Sequence, residues 1–303
     1  MPFSALYDIL AQSNLTVWDL INSMLTGHFI ASDNRQVFVT QFGTPNPHKT
    51  LLLLPSLFEE MNLCRAIVAK QAAFLVEQGY CVYALDYAGT GDSQGDINQV
   101  TANDWHADIL ATVVWLTSQG VQSLSLWGIR FGGLIALTSL PKVVEILPVN
   151  RVLLWKPVPK GKQFMTQFLR LKQANSMMQG QTKINWREHI LGGEETEVAG
   201  YIINAPLLAS IDALEMPKEL THRTAIRWLE LAATSVTPAI QIQTKQWPEA
   251  QFSVSCIQGS AFWQIPEIFA QPHLHQPTLN ALQGKDADDN QLKANDNDKE
   301  APL

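Results

Sequence analysis

The sequence predicts an α/β chain: a mainly parallel, doubly wound sheet with an inserted helical lid. Three observations carry that prediction. Short apolar runs alternate with helix-period segments, the pattern of β-α-β units. One run breaks into a glycine-framed turn, Gly128-Ile129-Arg130-Phe131-Gly132-Gly133, before an apolar helix begins. The alternation then lapses over residues 157–222, where helical stretches stand without a clear buried strand.

Taken in chain order, residues 1–27 read as an N-terminal amphipathic helical arm. Phe3, Leu6, Tyr7 and Leu10 share one stripe, Val17, Trp18, Ile21, Met24 and Leu25 another, and Ser13-Asn14 is a capping break between them. The core spans 28–156 and 223–283. "VFVTQF" is its first strand and "TLLLLP" a buried one ending at Pro55. A helix over 63–78 stops at Gly79, "CVYALD" follows, and a helix over 102–119 stops at Gly120. "LSLWG" and "RVLLW" are two further buried strands, with a helix from Arg130 between them. After the lid come the strand "IRWLEL", a helix over 237–247, the strand "FSVSCI" and a last helix over 274–283. Right-handed crossovers put helices on both faces. Residues 284–303 are acidic and nearly free of aromatic and β-branched residues, so they read as a disordered tail.

Composition narrows the function. The chain has 303 residues, 46% hydrophobic and only 16% charged, with a formal charge of −7, which gives no pull toward nucleic acid. Cys64, Cys81 and Cys256 are scattered and odd in number, so neither a disulfide framework nor a metal site follows and a reducing compartment is expected. His273 and His275 alone lack partner ligands for a metal. No basic residue precedes Arg35 and no apolar run approaches the roughly 20 residues of a membrane span, so a cytoplasmic location is expected.

Three motifs stand in order on the right elements. The glycine-framed turn has the form Gly-x-x-x-Gly that holds a nucleophile between strand and helix. The loop "DYAGTGDSQGD" starts at Asp86 at the end of a strand, and "LPSLFEEMN" follows the "LLLL" strand, where a backbone N–H can help stabilise an oxyanion. Within the first loop Asp92 and Asp96 read as turn-stabilising and Ser93 as a local cap. No Gly-Lys-Ser/Thr follows it, so it is not a phosphate loop. Together these features resemble the α/β-hydrolase fold. More narrowly, "LPSLFEEMN", "GDSQGD", "WGIRFGG", "LLWKPVPKGKQFMTQFLR" and "GSAFWQIPEI" resemble the exosortase A system-associated hydrolases with arginine at the elbow, over about residues 28–283. The resemblance implies a bacterial protein encoded with exosortase and exopolysaccharide machinery and classed as a hydrolase, and it supplies no substrate; an ester, thioester or acyl group, and no cofactor, are the expectation.

The residues do not supply the usual triad. Arg130 stands where the nucleophile belongs, and a guanidinium stays protonated. Glu230 is the nearest acid, while the loop after "FSVSCI" reads Gly259-Ser260-Ala261-Phe262-Trp263 where a histidine belongs. His273 lies beyond that loop, and Cys64, read as starting a helix, is an alternative thiol or simply a buried small residue. A cation at a helix N-terminus needs a negative answer. Either Glu59 or Glu60 pairs with Arg130, or Arg130, Phe131, Leu57, Phe58, Glu59 and Glu60 frame a pocket that grips an anionic ligand.

From Arg151 to Arg187 there are eight basic residues and no acid. They are expected to be solvated lid lysines and arginines, or to meet a small anionic or acyl-bearing ligand or an anionic membrane surface. Two functional readings stand. One is an enzyme that dispenses with an elbow serine; the other is a catalytically lapsed hydrolase that binds anions or assembles with other proteins of the exosortase system.

Overall fold

The computed structural model describes residues 25–180, 184–249, 251–267 and 270–285. Residues 1–24 of the expected arm (1–27) and 286–303 of the expected tail (284–303) lie outside the described residues. Its sheet has eight strands: β1 (Leu25–Ser32), β2 (Arg35–Phe42), β3 (Thr50–Leu54), β4 (Cys81–Asp86), β5 (Leu124–Ile129), β6 (Val149–Trp155), β9 (Ala225–Leu231) and β10 (Phe252–Ile257). Their spatial order is β1-β2-β4-β3-β5-β6-β9-β10. The pairs β1/β2 and β2/β4 are antiparallel, and all the others are parallel.

Burial explains the order. Every residue of β3 and β5 is buried, so these apolar runs can only sit in the middle, covered on both faces. Leu52 and Leu54 point to one core with Leu126, Val152 and Phe131; Leu51 and Leu53 point to the other with Trp127 and Trp155. Helices α2 (Ala102–Ser118) and α3 (Phe131–Ile146) supply the first core, α1 (Phe58–Glu77) and α8 (His275–Gln283) the second.

The structure corrects four sequence readings. "VFVTQF" belongs to the second strand, because β1 precedes it and closes an antiparallel hairpin through Asp33, whose φ is 48°. β1 therefore takes residues 25–27 from the expected arm; its exposed face carries Leu25, Gly27, Phe29 and Ala31, and its inner face is largely polar. Helix α1 begins at Phe58, not at 63, because the glutamates of its first turn suit a helix N-terminus. Arg130 is the N-cap of α3, not its first helical residue.

Between β6 and β9 lie α4 (Gly161–Met178), α5 (Trp186–Leu191), the hairpin β7 (Thr196–Val198) and β8 (Tyr201–Ile203), and α6 (Ala205–Asp212). The hairpin is the fourth correction, since no strand was expected there. Helix α7 (Pro238–Thr244) then joins β9 to β10. Helix α4 turns Phe164, Met165, Phe168 and Leu169 inward, as its stripe predicts. The basic run finds acids from outside itself: Lys160 pairs with Glu215 at 3.0 Å, Arg187 with Asp212, and Lys156 with Glu230. Three of its eight bases are thus paired with acids, the Lys160–Glu215 pair at the surface. No helix among the described residues is long and apolar enough to cross a membrane.

The glycines of the elbow are set by close approach. A Cβ on Gly132 would stand 1.9 Å from the Leu54 carbonyl oxygen, and one on Gly128 2.5 Å from the Gly133 Cα. Both contacts are with backbone, which cannot swing away. Gly132→Ala is therefore expected to destabilise the protein by about 3 kcal/mol, read as a lower urea midpoint with unchanged slope.

Candidate functional site

The turn from β5 into α3 holds Arg130 at φ 53°, ψ −115°, a strained conformation for a residue with a side chain. Two backbone bonds fix it: the Arg130 N–H donates to the Trp155 carbonyl at 2.9 Å, and its own carbonyl accepts from Gly133 N–H at 3.0 Å. The side chain thus projects at the C-terminal edge of the sheet, over the start of α3.

The guanidinium there is fully engaged. Its Nε lies 3.2 Å from Oε2 and its Nη2 3.0 Å from Oε1 of Glu60, a two-pronged ion pair, and its Nη1 donates to the Lys156 carbonyl at 3.1 Å. The Trp263 ring covers the remaining face, 5.0 Å from ring centroid to guanidinium carbon. Ser56 Oγ donates to Glu60 Oε2 at 2.8 Å. The Arg130 side chain is 7% exposed and the Glu60 side chain 17%. Of the two glutamates considered from sequence, the partner is Glu60. Glu59 instead faces a cleft.

A second charge pair touches the first. Glu230 on β9 is buried, receives the Lys156 ammonium on one oxygen and the Trp228 indole N–H on the other at 2.8 Å. The Lys156 carbonyl is the one that holds Arg130. Glu230 therefore balances a lysine rather than orienting a histidine.

The other sequence candidates lie apart. Cys64 sits in the second turn of α1, buried, and burial pushes its thiol above the ordinary range, with Glu60 adding to the shift. The helix-start argument for a reactive thiol is thereby corrected, because the helix begins at Phe58. His273 lies in a short turn over Pro272–Leu274 beside Gly259, and among the described residues no hydrogen bond joins it to Arg130, Glu230 or Cys64. His275 stacks on Phe74 at 4.6 Å. Phe131 is enclosed by Trp105 and Phe164, and Phe58 by Phe164 and Phe168. In the Asp86 loop, Asp86 accepts the Asp92 N–H at 3.0 Å and an Arg65 N–H at 3.3 Å, while burial raises its pKa. Ser93 Oγ donates to the Asp86 carbonyl and accepts the Phe38 N–H at 2.7 Å, a structural role. Among the described residues, no group of three or more His, Cys, Asp and Glu could hold a metal ion.

Above the ion pair lies a cleft of about 590 Å³, roofed by α4 and floored by Leu57, Glu60 and Trp263. Phe164 and Phe168 give it apolar walls, and Glu59 and Arg170 stand at its rim. Leu57, Glu59 and Glu60 line it, whereas Arg130, Phe131 and Phe58 do not. Sequence reasoning missed Trp263 and Lys156 as functional-site residues. The signal for Trp263 was present: an arginine at the elbow and a tryptophan in the loop where a histidine belongs make a cation–π pair.

No protein-family model matches the chain, and no curated protein matches it. Solved structures do. Est1E from Butyrivibrio proteoclasticus, with ferulic acid bound, superposes with TM-score 0.61 at 15% identity over 84% of this chain and 96% of that one. Mouse alpha/beta hydrolase domain-containing protein 10 gives 0.56 at 17% identity, over 86% and 99%. The thioesterase domain from the curacin biosynthetic pathway gives 0.52 at 15% identity, over 84% and 99%. With its strand order and its elbow turn, the chain has the α/β-hydrolase fold.

Proposed function

We propose that this chain is a ligand-binding protein built on a hydrolase fold, lapsed in serine chemistry, that holds a small acyl-bearing anion in the cleft beneath α4. One observation carries the reading: the residue at the elbow is a guanidinium spent on Glu60, the Lys156 carbonyl and Trp263, beneath a cleft that remains apolar and open. Acyl transfer at an elbow needs a hydroxyl or thiol that loses a proton to a neighbouring base. Arg130 has no such proton to give, and Trp263 cannot accept one. The cleft keeps what binding needs, with aromatic walls for an acyl or aryl group and Arg170 at the rim for a carboxylate or phosphate. The motif resemblance adds the setting: a bacterial, cytoplasmic component of exosortase-linked exopolysaccharide metabolism, meeting other proteins of that system.

Hydrolysis by a route without an elbow serine is the second reading. The esterase and thioesterase names among the structural neighbours favour it. For peripheral membrane contact through the lid, the bases without an acid partner among the described residues are Lys162, Arg170 and Lys172 on α4 and Lys218 beyond it.

Hexanoyl-CoA serves as the probe, being anionic and acyl-bearing. The wild type is expected to bind it without releasing free CoA, and Gln167→Trp, a change on the exposed cleft side of α4, to weaken binding at least tenfold. Turnover by the wild type that Gln167→Trp abolishes supports the hydrolytic reading instead; no binding at all removes the acyl-anion assignment. Separately, Arg130→Ser is expected to hydrolyse p-nitrophenyl butyrate no faster than the wild type, because the loop after β10 offers no base. A gain of more than tenfold shows that another base reaches the elbow.

A further inference from the structure

At the β10 edge of the sheet, with no lining residue in common with the α4 cleft, a cavity of about 160 Å³ lies between β9, β10 and α8. Each of its polar side chains can donate a hydrogen bond. Arg227 and Ser253 stand directly opposite each other in the parallel register, and Ser255 comes next on the same face. Lys285 and Asn280 close the other side. No aspartate or glutamate lines the cavity among the described residues.

These donors lack acceptors. Arg227 uses Nη1 on the Ile226 and Gln251 carbonyls at 3.1 and 3.4 Å; among the described residues its Nη2 makes no hydrogen bond and no carboxylate meets its guanidinium, while its Nε is buried out of reach of the cavity. Asn280 accepts from Gln276 at 2.7 Å through Oδ1, which leaves its amide N–H groups as donors. The hydroxyls of Ser253 and Ser255 and the Lys285 ammonium have no partner among the described residues. The rest of the wall is apolar, from Leu229, Ile257 and Ala281.

We infer that this cavity is a second binding site, separate from the cleft under α4, for a small carboxylate carried on a short apolar body. Two cations with no acid, two free hydroxyls and an amide donor suit two carboxylate oxygens, and a guanidinium presents its N–H pairs in matching geometry. The volume admits a few carbon atoms beyond the carboxylate, and Leu229 and Ile257 give them an apolar surface.

Butyrate is the test ligand, with butyramide as its uncharged isostere and inorganic phosphate as the anion without an apolar body. Titrations of the full chain are followed by backbone amide NMR. Butyrate is expected to shift amides of β9, β10 and α8 saturably, at least tenfold more tightly than butyramide or phosphate, independently of any shift of amides lining the α4 cleft. Arg227→Met and Lys285→Ala are each expected to weaken it at least fivefold; should Arg227→Met fail to fold, Lys285→Ala and Ser253→Ala decide. Equal affinity for butyramide, tighter binding of phosphate, shifts confined to the α4 cleft, or unchanged affinity in the variants overturns the assignment.

Discussion

The ion pair between Arg130 and Glu60 is the constraint around which the site is arranged. Arg130 sits where a helix begins and a strained turn projects its side chain into a nearly closed space. The N-terminal end of α3 carries partial positive charge, so a second cation there is unfavourable on its own. Glu60 answers it from the first turn of α1, where its own charge also suits the helix end. A buried pair of this kind is poor evidence of net stabilisation, since desolvation opposes the attraction. What it does fix is geometry. Neither partner can leave without stranding the other, and arginine, unlike lysine, can at once pair with a carboxylate on its edge and stack on an indole through its face.

That arrangement organises three loops. Ser56, in the loop after β3, donates to Glu60; the Lys156 carbonyl, at the end of β6, accepts from Arg130; Trp263, after β10, lies across the guanidinium. In a hydrolase these loops bring together an oxyanion hole, a nucleophile and a base. Here they bring together a carboxylate, a cation and an aromatic ring, joined to a second pair, Lys156 and Glu230, through one lysine backbone. Charge is satisfied by neighbours on all sides, so the floor of the cleft presents Leu57, Glu60 and Trp263 rather than a reactive group.

Much of the fold could be read from the chain because its central strands are buried on both faces. Continuous runs such as Leu51 to Leu54 leave no other place to go, and the glycines at 128, 132 and 133 mark the elbow by steric need. The strand β1 escaped because its outer face carries Leu25, Gly27, Phe29 and Ala31 while its inner face mixes Thr26, His28 and Ser32 with Ile30, so polarity does not alternate with burial. The hairpin of β7 and β8 escaped because three-residue strands give no period at all. At the site, the position of Arg130 was legible and its partner only to within one residue. Glu59 and Glu60 are adjacent, and the choice depends on the phase of α1, which depends on its true start at Phe58. Misplacing that start also put Cys64 at a helix end when it lies in the buried second turn. The basic run from Arg151 to Arg187 looked like a surface for anions because its partners, Asp212, Glu215 and Glu230, lie later in the sequence.

The most direct test of the central interaction is a double-mutant cycle by urea unfolding on Arg130→Met, Glu60→Gln and the two combined. Each single change is expected to cost about 3 kcal/mol by leaving its partner buried and unpaired, with the double variant less destabilised than the sum by about 2 kcal/mol or more. Additive costs, with no coupling between the two positions, would contradict the account.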